Sequence, residues 1–176
     1  MTHPSCVRPA VPADEPEIWR LFRLAHHENA LQSMSDRKVQ YHLDRFLNPQ
    51  GIRPEDAGPR GFIGVVGPID ALEGIVMLAL GSPWFSEDIT MDDCLNFVDP
   101  EHRRSDHAKV LLAYAKNMTD QIRLSHPKFQ MTVGILSTER TAAKIKLYER
   151  QNLTLAGAIF VYPPPNGVKP LSAGER

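Results

Sequence analysis

The chain has 176 residues, 42% of them hydrophobic and 23% charged, with a formal net charge of −1. These values exclude a wholly disordered chain and provide length for one core without disulfides or a structural metal. A near-neutral balance supplies no broad basic surface for nucleic acid or an anionic membrane, and no stretch reaches the roughly 18 apolar residues of a membrane span.

Met1 to Pro9 lacks the apolar run of a signal peptide, and Cys6 and Cys94 have no CxxC spacing, so two reduced thiols in a cytoplasmic protein are expected. The histidines form no HExxH or similar pair, and no metal site is read from them.

In chain order, residues 5–11 form a short first strand. Asp14 stands as N-cap of a helix over 15–30, with Glu15, Pro16 and Glu17 in the first turn and Ile18, Leu21, Phe22 and Ala25 at helical spacing. Ser35 and Asp36 open a second helix with Val39, Leu43, Phe46 and Leu47 on its apolar face, ended by Asn48-Pro49-Gln50-Gly51. Residues 51–60 are a loop by composition. Two apolar runs, 61–67 and 73–81, joined through Pro68, read as a hairpin of buried strands. A loop over 82–88 carries Trp84 and Phe85, and a further strand covers 90–98. Pro100 stops it, and a long helix over 104–124 follows, broken at His126-Pro127. A strand at 129–136, a helix at 139–151 and a last strand at 153–162 complete the body, and 163–176, with its three consecutive prolines, is an extended tail. The order predicts an α/β fold: one domain over 1–162, whose mixed, mostly antiparallel sheet is covered by helices on both faces.

The most informative segment runs from Cys94 to Ala115. A strand ends at Val98, a tight loop follows, and a helix starts near Arg104. Amide hydrogens at a helix start, with the helix dipole, attract phosphate, and Arg103 and Arg104 add two positive charges there. The residues themselves read either as an anion site suited to a pyrophosphate or as a helix start with two solvated arginines.

The run Val98-Asp99-Pro100-Glu101-His102-Arg103-Arg104-Ser105-Asp106-His107-Ala108 resembles the coenzyme A loop of the GNAT superfamily of N-acetyltransferases. There a strand ending in Val-x-Pro-x-x precedes Arg/Gln-x-x-Gly-x-Gly/Ala. Arg103 takes the Arg/Gln place and Ala108 the final one, while Asp106 and Arg104 stand where glycine is frequent. The element order over 5–162 matches as well. A second segment, 138–153, is similar to the family's Asn-x-x-Ala-x-x-Leu-Tyr-Glu-x-x-Gly-Phe helix: Leu147-Tyr148-Glu149 fits, with Thr141 in place of Asn and Asn152-Leu153 in place of Gly-Phe.

The resemblance implies a GNAT-like fold and direct transfer of an acetyl group from acetyl-CoA, without a metal, to a small-molecule or peptide amine. Amide hydrogens of Arg103, Arg104, Ser105, Asp106, His107 and Ala108 then face the diphosphate, and Thr141 joins that site. Phe97 and Val98 present backbone N–H groups where the fourth and fifth strands splay, and Tyr148 acts as general acid toward the departing thiolate. The Asp106 carboxylate opposes a diphosphate, and Arg103, Arg104 and the helix dipole offset it. Candidates for the base are Asp92, Asp93 and Glu73. Strict alternation puts Asp92 with Cys94, Asn96 and Val98, and Asp93 with Leu95 and Phe97. By the same resemblance the segment His26-His27-Glu28-Asn29 borders the acceptor, although a solvated helix end is the plainer account. Trp84 and Phe85 line an acceptor pocket, make a homodimer contact or fold back on the core. Cys94 reads as a small buried strand residue rather than a nucleophile. The alternative function is a catalytically silent GNAT-like module binding a ligand or partner protein, favoured by Asp106 and the missing glycines. A nucleotide-binding protein lacks its GxGxxG or Walker loop.

Overall fold

The structure is a computed structural model describing residues 6–29, 33–49, 58, 60–135 and 141–157. Its elements are β1 (Arg8–Pro9), a 3-10 turn (Pro12–Asp14), α1 (Glu15–Asn29), α2 (Asp36–Leu47), β2 (Arg60–Val66), β3 (Gly74–Gly81), β4 (Thr90–Val98), a second 3-10 turn (Pro100–His102), α3 (His107–Arg123), β5 (Gln130–Thr132) and α4 (Thr141–Arg150). The sheet order follows the chain, β1-β2-β3-β4-β5. The first three pairings are antiparallel and β4–β5 is parallel. This is the mixed, mostly antiparallel α/β sheet expected.

The apolar runs of β2 and β3 are near-continuous because both faces are covered. Ile63, Val65, Ile75, Met77 and Phe97 pack with Ile18, Leu21 and Ala25 of α1 and Leu43, Phe46 and Leu47 of α2. Val66, Val76, Leu78 and Met91 pack on the opposite face with Leu111 and Ala115 of α3 and with Phe129. Each such buried aliphatic side chain contributes about 1.5–3 kcal/mol, so these two clusters hold the helices to the sheet and position the loops.

Several boundaries differ from the sequence reading. β1 shrinks to two residues, since Pro9 and Pro12 cannot donate to a ladder. Asp14 lies inside the first 3-10 turn instead of capping α1: its Oδ2 accepts the Val11 N–H at 2.8 Å, and both its oxygens receive Arg8. α3 begins at His107 because Pro100 starts a separate turn, capped by the Asp99 carboxylate on the Glu101 N–H at 3.0 Å. β5 ends at Thr132, where its partner strand leaves it. Residues 153–157 form no strand, and the expected continuation over 158–162 and tail over 163–176 lie outside the described residues.

The correction with most consequence is inside β4. Met77 pairs with Leu95 but Leu78 pairs with Asp93, so Cys94 is an extra residue, a β-bulge. A one-residue insertion exchanges faces beyond it. Asp92 therefore shares the α1–α2 side with Leu95 and Phe97. Asp93, opposite Leu78, shares the α3 side with Asn96 and Val98. Strict alternation predicts the reverse.

Candidate active site

β4 and β5 pair only from Thr90 to Asp92, against Gln130 to Thr132. β4 then continues to Val98, and from Asp93 onward its β5-facing edge has no ladder partner among the described residues. The two strands form a fork. At its apex the Asp93 carboxylate accepts the Gly134 N–H at 2.8 Å, a side chain continuing what the backbone ladder stops doing.

Burial dominates the chemistry here. It pushes the Asp93 carboxyl up to about 6; the Gly134 N–H works against this, the neighbouring Asp92 adds to it and Lys144 opposes it. Tyr148, half-buried on α4, has its hydroxyl held well above the usual phenol range, by burial first and by the Asp93 charge second. Helix α4 thus brings Tyr148 to Asp93, although 55 positions separate them in sequence. Cys94 keeps an open side to solvent but lies in dense surroundings: lost hydration, then Asp93 and Asp92, push its thiol up to about 11. At neutral pH it is a thiol and a poor nucleophile.

This raised carboxyl gives a stability prediction. In the unfolded chain Asp93 ionises near its ordinary value of about 4. The stability it contributes is fully present below that value and is lost as pH rises through about 6. The two values differ by enough to cost roughly 3 kcal/mol at neutral pH. Asp93→Asn keeps an acceptor for Gly134 and removes the charge. The variant should gain stability over the native chain as pH goes from 4 to 7, by up to about 3 kcal/mol. Urea unfolding across that range checks it, and parallel profiles would refute it.

The fork opens toward the loop after β4. The Ser105 hydroxyl donates to the His102 carbonyl at 2.6 Å and accepts the His107 N–H at 3.2 Å, which closes the turn. The N–H groups of Arg104 and Ala108 donate to no backbone acceptor among the described residues. Asp106, at φ −92° and ψ 9°, sits in a right-handed conformation open to any residue, so glycine is not required there. Its carboxylate makes no cap hydrogen bond; it stands 3.9 Å from His107 Nδ1 and is about half exposed.

Arg103 does not point into solvent. It donates to both Glu28 carboxylate oxygens, reaches the Val98 carbonyl through Nε at 3.3 Å, and lies 5.5 Å over the Phe97 ring. Arg20 bonds Asp99 and Glu17 and donates to the Leu72 carbonyl at 2.6 Å. These contacts bolt α1 to the loop.

Glu28 is thus half-buried and paired rather than solvated, while His27 is exposed and the Asn29 side chain lies outside the described residues. Arg104 is exposed. Thr141 is half-buried at the start of α4. Asp92 is exposed on the face opposite Asp93, and Phe97 is buried in the core. Trp84 and Phe85 are 95% and 74% exposed and meet edge to face, so they do not fold back on the core. Sequence reading missed Gly134 as the donor to Asp93 and Glu28 as the partner of Arg103. No spacing signals either, because both pairs close across distant segments.

No protein-family model matches the chain, and no curated protein sequence matches it. Solved structures with the same fold do. A ribosomal-protein-alanine N-acetyltransferase from Brucella melitensis biovar Abortus 2308 superposes with TM-score 0.58 at 17% identity, over 90% of this chain and 98% of that one. An aminoglycoside acetyltransferase from an uncultured soil metagenomic sample, in complex with sisomicin, gives 0.58 at 16%, over 90% and 95%. An integron cassette protein from the mobile metagenome of Cole Harbour Salt Marsh gives 0.61 at 17%, over 94% and 92%. The fold is therefore the α/β fold of GNAT-type acetyltransferases. At such identities the likeness is one of fold.

Proposed function

We propose that this chain is an N-acetyltransferase that passes an acetyl group from acetyl-CoA directly to an amine. The observation that carries this reading is the β4–β5 fork: Asp93 closes its apex beside Tyr148, and it opens toward a loop whose Arg104 and Ala108 amides meet no backbone acceptor among the described residues. Such a fork accepts an extended thioester along a strand edge, and such a loop suits a diphosphate. Ser105, Asp106 and His107 shape the turn, and Thr141, the first residue of α4, is assigned to the same site. The Phe97 N–H is turned toward β3 in the ladder, so the Val98 N–H, on the β4 edge away from β3, is the backbone donor that stabilises the oxyanion.

In the reaction the amine nitrogen bonds to the acyl carbon, the carbon–sulfur bond breaks, and one proton leaves nitrogen while another reaches sulfur. A carboxyl near 6 suits the accepting role at neutral pH, so Asp93 takes the amine proton. Tyr148 supplies the sulfur. Its burial disfavours the phenolate, so it gives its proton up as it receives one from the Asp93 side, and acts as a relay. Asp92, exposed on the other face, attracts a cationic acceptor. The acceptor is a small-molecule or peptide amine; the soil-metagenome acetyltransferase in complex with sisomicin shows the first kind for a protein of this fold.

Acetyl-CoA at about 100 times its dissociation constant should raise the unfolding free energy by about 2.7 kcal/mol. Thermal unfolding with and without ligand reads this, and no shift at millimolar acetyl-CoA would remove the proposal. The pairing of Arg103 with Glu28 favours a second reading, a ligand-binding module without turnover. A thermal shift without thiol release on any amine would select it.

A further inference from the structure

We propose that Glu73, His102 and His107 form a binding site for one divalent transition-metal ion of the zinc type. His107 Nε2 lies 2.5 Å and His102 Nδ1 3.5 Å from the same oxygen, Glu73 Oε2. All three donor atoms lie within 4.8 Å of one another. The two imidazoles are stacked, with centroids 6.0 Å apart and planes 25° from parallel. Two imidazoles and one carboxylate are a donor set for zinc and its neighbours, whereas calcium and magnesium take oxygen ligands.

The backbone holds each donor in place. Gly67, at φ 102°, turns the chain after β2, and a Cβ there would sit 2.7 Å from the Ala71 carbonyl oxygen and 2.9 Å from the Glu73 nitrogen. The tight turn lets Glu73 N–H donate to the Val66 carbonyl at 2.8 Å, while the Glu73 carbonyl accepts the Asp99 N–H at 2.9 Å. His102 ends the 3-10 turn that Asp99 caps, and the Ser105 hydroxyl fixes the interval between His102 and His107.

A second, independent feature is the other nitrogen of His107. Its side chain is 6% exposed and Nδ1 is buried with no hydrogen-bond partner among the described residues. With an ion on Nε2 the neutral ring carries its proton on Nδ1. The Asp106 carboxylate stands 3.9 Å from that atom, beyond hydrogen-bond distance, and a small rotation of this exposed side chain would give the outer carboxylate contact that metal-bound histidines use.

Donors to one tetrahedral ion stand about 3.4 Å apart. The His102–Glu73 separation of 3.5 Å already fits, and the His107–Glu73 pair widens from 2.5 Å as the ion replaces the proton between them. His102 is 41% and Glu73 29% exposed at the side chain, which leaves an open side for water as the remaining ligand. The ion would clamp the turn after β4 to the turn before β3. The site rests on these residues alone and stands whether or not the chain transfers acetyl groups.

The test is a zinc titration of the chelator-stripped full-length protein by calorimetry, with cobalt absorption as a second readout. One equivalent is expected at micromolar or tighter affinity, with cobalt d–d bands of a low-coordinate nitrogen and oxygen site. His102→Ala and Glu73→Gln each remove a direct ligand and should weaken binding by at least the roughly 10–100-fold that loss of an outer-shell partner costs, with the cobalt bands lost. His102 is the most exposed of the three, and glutamine still accepts from His107, so both variants keep the fold, which far-ultraviolet circular dichroism verifies. Binding only in the millimolar range, or one-equivalent binding that either variant leaves unchanged, would overturn the site.

Discussion

Arg8→Ala is expected to lower the unfolding free energy by about 3 kcal/mol, through the buried carboxylate it leaves behind. Asp14 is fully buried, and its carboxylate depends on two Arg8 nitrogens at 2.7 Å and the Val11 N–H at 2.8 Å. Burial alone would push its carboxyl upward; the Arg8 bonds and the Val11 amide reverse this and hold it below the usual carboxylate range. Removing the guanidinium leaves the desolvation uncompensated. The cost falls at the low end for a buried pair because Arg8 is one-third exposed and water can enter. The pair's stabilisation is present above the ordinary carboxylate range and is lost as pH falls through the lowered folded value. The native–variant difference should therefore narrow in acid. Urea unfolding at neutral pH and at about pH 3 checks both points. Equal stabilities, or a gap that ignores pH, would contradict the account.

Tyr148→Phe is expected to reduce turnover by about 10²–10⁴-fold, the usual contribution of a positioned general acid. The change removes one oxygen from a half-buried ring, so the fold and acetyl-CoA affinity should hold. The expected pattern is a fall in kcat with little change in KM for acetyl-CoA, the mark of an interaction made in the transition state. If Asp93 is the proton acceptor, the native rate should climb as pH rises through about 6, and Asp93→Asn should flatten that limb. Free-thiol release from acetyl-CoA across pH measures all three. An unchanged kcat in the phenylalanine variant would take Tyr148 out of the mechanism and leave the fold reading untouched.

Much of the fold is legible in local order. The helical spacing of Ile18, Leu21 and Ala25, and of Leu43, Phe46 and Leu47, marks α1 and α2 because a 3.6-residue period puts those side chains on one stripe, and all six are buried. The runs in β2 and β3 mark strands covered on both faces, and Pro100 marks the end of β4. The loop from Val98 to Ala108 and the helix around Tyr148 also stand out locally, because their spacing lies within short segments.

Local order thus carries the periodicity, the breaks and two short patterns that resemble those of an acetyltransferase family. The tertiary structure alone decided which side chains meet. The bulge at Cys94 exchanged the faces of Asp92 and Asp93, and no local signal marks it because a bulge is settled by register against β3. Asp93 with Gly134, Arg103 with Glu28 and Glu73 with His102 and His107 are pairings between segments far apart in the chain. The physical reason is the same in each case: periodicity encodes which side of an element faces the core, while partners across the fold are chosen by how the packed elements bring their ends together.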